Sequence, residues 1–155
     1  MRVYLSQHGE AKPKEADPQR RLTDQGKRDV QKVAEFLRPL HLKVAAVWHS
    51  SKPRARQTAE ILASALTCAP GVIQRDGLAP NDPVGPVREV FEKADGDLMV
   101  VGHLPFLSRL AASLVTGSEQ PEVVSFQYGC VVSIERGDKR DWTVSWMIVP
   151  ELLQS

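Results

Sequence analysis

Apolar positions along the chain follow two rhythms, and their order predicts an architecture. Residues 3–6 are short, rich in β-formers and stop ahead of Gly9, which marks a first strand. Residues 24–38 then place Val30, Val33, Ala34 and Leu37 at i, i+3, i+4 and i+7, the stripe of an amphipathic helix. Thr23 is positioned to cap that helix and Pro39 to end it near Arg38. Residues 44–48 are an unbroken apolar run, suited to a strand buried on both faces. A second helix begins at Pro53, with Ser51 upstream as its cap and Ala55, Ala59, Leu62 and Leu66 as its stripe. Residues 71–75 read as a third strand. The stretch that follows carries Pro80, Pro83 and Pro86 and reads as loop. Out of it Val84, Val87 and Phe91 begin a short third helix.

Residues 98–101 form another apolar strand, and Leu107, Leu110, Ala111 and Leu114 mark a fourth helix from near Pro105. An irregular connection is expected over 116–128. Residues 131–135 and 142–148 then alternate around Gly137-Asp138 as a terminal hairpin. Trp142 and Trp146, four residues apart, are expected on one face of the last strand as packing groups. Strands alternating with helices imply an α/β three-layer sandwich: a mostly parallel central sheet, helices on both faces and a C-terminal antiparallel hairpin. With 155 residues, no linker and no internal repeat, the chain reads as one domain over 1–155.

Charge removes several function classes. Twenty Lys and Arg against nineteen Asp and Glu leave a formal charge of +1, so no global field draws nucleic acid or an anionic membrane. The first residues contain neither a signal-peptide core nor a cleavage site, and no apolar run approaches the ~18 residues that span a bilayer. The expectation is a soluble, cytoplasmic protein. Cys68 and Cys130 form no ligand-spaced cluster and read as two small buried hydrophobes, so no metal and no other cofactor is expected.

In an open α/β sheet, ligands bind beyond the carboxyl ends of the strands. Three capable side chains fall there. His8 follows the first strand, Arg54 sits in the first turn of the second helix, and His103 follows the strand 98–101. Each alone has an ordinary reading: a turn histidine, a solvated arginine, a hydrogen-bonded core histidine. Two imidazoles and a guanidinium on one rim, near helix starts with free N–H groups, together suggest a phosphate pocket.

Local sequence strengthens this reading. The chain runs Gln7-His8-Gly9-Glu10-Ala11, Arg21-Leu22-Thr23-Asp24-Gln25-Gly26, Ser50-Ser51-Lys52-Pro53-Arg54-Ala55-Arg56-Gln57-Thr58, and Val101-Gly102-His103-Leu104-Pro105. In that order and spacing these blocks resemble the histidine phosphatase superfamily, and within it the small phosphohistidine phosphatase (SixA-like) branch. The resemblance spans residues 1 to about 115. It implies that His8 is a nucleophile that becomes phosphorylated, that His103 and Arg54 bind the transferring phosphoryl group, and that Gln7, Gly9 and Arg21 assist. It also implies a phosphoprotein or a small phosphorylated molecule as substrate.

The chemistry suits these residue types. A neutral imidazole nitrogen attacks phosphorus if its other nitrogen is held as a donor, for instance by a backbone carbonyl. The transition state then needs positioning and positive charge, supplied by Arg54 and by a protonated His103. The superfamily ordinarily has arginine where this chain has Gln7. An amide donates without charge, and a lost charge-assisted contact costs about 1.5–3 kcal/mol, ten- to a hundredfold in binding or rate.

Arg21, Arg20 and Lys12 are near enough in sequence to compensate and Arg56 less so, although Lys12 and Arg20 read as solvated surface charges. For a general acid the candidates are Asp82, which reads first as a turn residue in Asn81-Asp82-Pro83, and Glu10. Neither need act on phosphohistidine, whose protonated imidazole leaves readily. His41 reads as an exposed turn residue, and His49 as a strand-end residue leading into the Arg54 block. Two further functions stay open: a phosphate- or phosphoprotein-binding module with little turnover, and a small-metabolite phosphatase.

Overall fold

A computed structural model describes residues 1–154. Six strands, β1 (Arg2–Gln7), β2 (Ala46–His49), β3 (Val72–Gln74), β4 (Leu98–Gly102), β5 (Val131–Arg136) and β6 (Trp142–Ile148), form one sheet in the order β3-β2-β4-β1-β5-β6. Neighbours from β3 to β1 run parallel, while β5 is antiparallel to β1 and β6 to β5. The helices are α1 (Asp24–Leu37), α2 (Pro53–Ala63), α3 (Gly85–Lys93) and α4 (Phe106–Thr116). The expected α/β sandwich, with its C-terminal hairpin, is the observed architecture.

Alternation along the strands divides the core in two. Tyr4, Val47, Met99 and Val101 pack with Val30, Val33 and Leu37 of α1 and Ala55, Ala59 and Leu62 of α2. Val3, Leu5, Val100 and Ile134 pack on the other face with Phe91 of α3 and Phe106, Leu107 and Leu110 of α4. Every residue of β4 is buried, as a strand covered on both faces requires. Each fully buried Leu, Val or Phe contributes about 1.5–3 kcal/mol relative to exposure, so the two layers supply most of the driving force. Among the described residues, no helix is long and apolar enough to cross a membrane.

Three local expectations change. The Thr23 hydroxyl caps α1 by accepting from Gly26 N–H, as anticipated, but α2 begins after Lys52 without a side-chain cap. Ser51 plays no part there; the hydroxyl that accepts Lys52 N–H, at 3.3 Å, belongs to Ser50. Cys130 is buried, whereas Cys68 is only half-buried near the short edge strand β3.

Trp142 and Trp146 lie on opposite faces. The β5–β6 register pairs Ile134 with Val144 and Ser133 with Trp146, leaving Ser145 as an extra residue that reverses the alternation. Trp142 therefore packs on Phe91 in one core and Trp146 on Tyr4 in the other, with ring centroids 6.3 and 5.9 Å apart.

Strand order positions the site. The chain leaves β1, passes over the place later filled by β4 and enters β2, so β4 returns between them. Gln7 pairs with Gly102 in the β1–β4 register, and His8 N–H donates to Gly102 O at 3.0 Å. Parallel strands in this register end together, so the next side chain on each emerges at the same place.

Candidate active site

Those two side chains are His8 and His103, and their rings lie 5.1 Å apart between centroids. They line a pocket of about 330 Å³ with Gln7, Arg54, Arg20 and Tyr128; Pro80 and Leu104 complete its wall.

His8 is buried, and its Nδ1 lies 2.7 Å from Gly9 O. A carbonyl only accepts, so Nδ1 carries the proton and Nε2 keeps its lone pair. Burial is the main cause that lowers the His8 pKa to about 4, with the Arg54 and Arg20 charges adding to it against the opposing Gly9 hydrogen bond. The ring is therefore neutral at pH 7.

Gly9 serves the site differently from the expectation. Its N–H donates to Thr58 Oγ1 at 3.0 Å and is not free for an anion. A Cβ there would lie 2.9 Å from Val30 Cγ2 and 3.1 Å from Gly26 O, so the residue is small because α1 packs directly on it. Thr58 Oγ1 also donates to Arg54 O at 2.8 Å, while Gln57 Oε1, one residue earlier on α2, accepts Leu22 N–H at 2.8 Å. Two adjacent side chains of α2 thus tie the His8 turn and the loop before α1 to the helix that carries Arg54.

His103 shares a 2.6 Å hydrogen bond between its Nε2 and Ser50 Oγ. Burial is the main cause that lowers its pKa to about 3, followed by unfavourable electrostatics with the His8 ring and with the Arg54, Lys52 and Arg20 cations. The sequence expects a protonated His103 beside the transferring phosphoryl group; burial first, and the surrounding positive charges after it, hold the ring neutral in this pocket. A bound dianion would offset those charges and favour proton uptake.

The two arginines also differ from expectation. Arg54 lies in the first turn of α2 and reaches the pocket as anticipated. Arg21 does not: its guanidinium is half-exposed and paired with Asp17, with Nε 2.9 Å from Oδ2. The pocket instead receives Arg20, which had read as a surface charge. Arg20 sits at φ +50, its N–H on Asp17 O at 2.8 Å and its Nε on Lys12 O at 3.1 Å. Buried Asp17 also accepts from Gln19 N–H and Arg21 N–H, and the Arg21 contacts hold its carboxyl well below the usual range. The Arg-Arg pair was visible in sequence; which member faces inward depends on this left-handed turn.

Tyr128, which the sequence reading missed, stands with its ring centroid 5.6 Å from that of His8. Gly129, at φ +77, places it by donating to Gln7 O and His8 O at 3.0 and 3.2 Å. A Tyr-Gly pair in an otherwise irregular segment was the available signal. Remaining candidates lie elsewhere. Glu10 is exposed and accepts from Thr23 Oγ1, Asp82 Oδ2 accepts Ala79 N–H within its own turn, and Arg56 pairs with Glu60 on the surface. Lys12 and His41 are exposed, and His49 is buried on Ser50 O.

Among the described residues, three buried side-chain polar atoms have no partner: Gln7 Oε1, Arg54 Nε and His103 Nδ1. All belong to residues of this one pocket. Such atoms each cost about 1–3 kcal/mol when left unmet, and their concentration marks a site arranged for a polar ligand.

Buried neutral imidazoles beside two guanidiniums, at the carboxyl ends of a parallel sheet, belong to the phosphoryl-handling class of α/β proteins. Comparison with known proteins narrows this. The histidine phosphatase superfamily (branch 1) matches residues 3–79. A Picosynechococcus protein of uncharacterized function is 37% identical over 125 residues, 76% of this chain and 74% of its own length. The protein histidine phosphatase SixA, in a structure with tungstate, is 25% identical and superposes with a TM-score of 0.84 over 99% of this chain and all of its own. A protein of Agrobacterium tumefaciens assigned as a SixA phosphohistidine phosphatase shares the fold, with 19% identity, a TM-score of 0.77, and coverage of 96% and 97%. The chain belongs to the histidine phosphatase superfamily, and it is a phosphatase.

Proposed function

We propose that this phosphatase removes phosphate from phosphohistidine on a protein, through a covalent intermediate on His8. His8 Nε2 attacks phosphorus, a new P–N bond forms, and the substrate's P–N bond breaks with its electron pair going to the departing nitrogen of an imidazole already protonated on its other nitrogen, which leaves neutral. Water then attacks phospho-His8, releases inorganic phosphate and returns His8 to its neutral form. Arg54 and Arg20 balance the charge on the three equatorial oxygens, Gln7 can donate its amide N–H, and His103 borders the same space.

One observation carries the substrate class. Among the described residues no carboxylate lines the pocket, so the carboxyl group that would most directly protonate an alkoxide leaving group is missing from its wall. A protonated imidazole needs no such donor. The likeness to SixA, described as a protein histidine phosphatase, points the same way. Arg20 returns a guanidinium to a pocket where Gln7 brings no charge, so the positive charge that phosphoryl transfer needs is present.

The test is labelled phosphate transfer. A phosphohistidine protein labelled on phosphorus should leave acid-labile label on His8 in rapid quench, and His8→Ala should abolish both the label and phosphate release. Normal turnover by His8→Ala would refute the covalent route. Faster hydrolysis of sugar phosphates than of phosphohistidine would refute the substrate class.

A further inference from the structure

A second pocket, of about 370 Å³, opens beside the first and shares Gln7, Leu104 and Tyr128 with it. Its character is different. Phe126 and Pro150 form an apolar part of the lining, and the carboxylates of Asp29 and Glu151 border it. Asp29 is partly balanced by Lys32 at 3.6 Å and accepts from Gln25 Nε2 at 2.8 Å. Glu151 is exposed and has no ion-pair partner among the described residues.

Gln7 joins the two halves. Its side chain borders both pockets, the residue is only 8% exposed, and its Oε1 has no donor. An arginine at this position could only donate, whereas an amide can donate to an anion on one side and accept from an N–H group on the other. The paired pockets are thus bipolar, with guanidiniums at one end and carboxylates at the other. Between them lie Leu104 and Tyr128, 37% and 50% exposed, an apolar surface over which a chain can lie.

We infer that the second pocket is a leaving-group subsite that receives the protein segment around the phosphorylated histidine, with a basic side chain of that segment facing Glu151 and Asp29. This rests on the phosphohistidine reading above and adds a preference to it. With the phosphoryl group among Arg20, Arg54 and His103, the rest of the substrate crosses Tyr128 and Leu104. A positive charge on that segment meets the carboxylates, and its N–H groups face the unpaired Gln7 oxygen. Acidic flanks meet like charge.

The full-length protein is assayed with two phosphohistidine peptides that differ only in lysine or glutamate beside the phosphorylated residue. The lysine peptide is expected to have about tenfold higher kcat/KM, a preference that shrinks as ionic strength rises. Glu151→Lys, at an exposed position, should reverse the order of the two peptides. Equal kcat/KM for both, or a wild-type preference retained by Glu151→Lys, overturns the subsite and leaves phosphohistidine hydrolysis standing. Turnover of p-nitrophenyl phosphate with neither peptide hydrolysed overturns the phosphohistidine reading and the subsite together.

Discussion

Thr58→Val removes one oxygen and preserves the side chain's shape, which makes it a sharp probe of how the site is held. Thr58 is fully buried, and its hydroxyl joins Gly9 N–H to the Arg54 carbonyl. In the variant the Arg54 carbonyl keeps the backbone bond of its helix, but the buried Gly9 N–H loses its acceptor. That leaves a cost of about 1–3 kcal/mol. For a chain of this size each kcal/mol lowers Tm by about 2–4 °C, so Tm should fall by about 2–12 °C. Function should suffer separately, because the carbonyl of the same Gly9 holds His8 Nδ1 at 2.7 Å. A small displacement of a reacting group costs on the order of ten- to a hundredfold in rate. The expected result is a fall in kcat of at least about tenfold, with Thr58→Ser recovering both rate and Tm. Calorimetry and steady-state turnover of p-nitrophenyl phosphate measure the two effects. If Thr58→Val matches wild type in both, the hydroxyl does not position His8.

Arg20→Ala should raise the inhibition constant of inorganic phosphate by about ten- to a hundredfold, since one charge-assisted contact of about 1.5–3 kcal/mol is lost. Gln7→Arg should lower it; an unchanged constant in either variant would place that side chain outside the anion site. Stability should also depend on pH through the two pocket histidines. Their folded pKa values, about 4 for His8 and about 3 for His103, lie below the ordinary 6.5, so the unfolded chain binds more protons in mildly acidic solution. Their burial as neutral rings is therefore without proton-linked cost above about pH 6.5, and stability falls as pH drops from there toward 4. Urea unfolding at pH 7.5 and pH 5 should show this loss, smaller in His103→Gln; equal losses in the two proteins would contradict the neutral, buried state of His103.

Local spacing in the chain was enough to mark the main buried stripes and to place the reactive side chains at strand ends. Helical and strand periods record burial residue by residue: the α1 stripe at Val30, Val33, Ala34 and Leu37 is buried, and so is the whole apolar run of β4. With the rule that open sheets bind ligands at their carboxyl ends, this was enough to bring His8, Arg54 and His103 to one rim. Tertiary structure decided what depends on register and on the sum of neighbouring charges. A single extra residue at Ser145 sent Trp142 and Trp146 to opposite cores, which the spacing of the two residues does not reveal. A left-handed turn at Arg20 turned it inward while Asp17 held Arg21 outside. His103 became neutral because burial and four positively charged or ionisable neighbours, drawn from separate parts of the chain, act on one ring. Burial of a face follows from local spacing, but a side chain's partners and charge state follow from everything packed around it, and that exists only once the strands are in register.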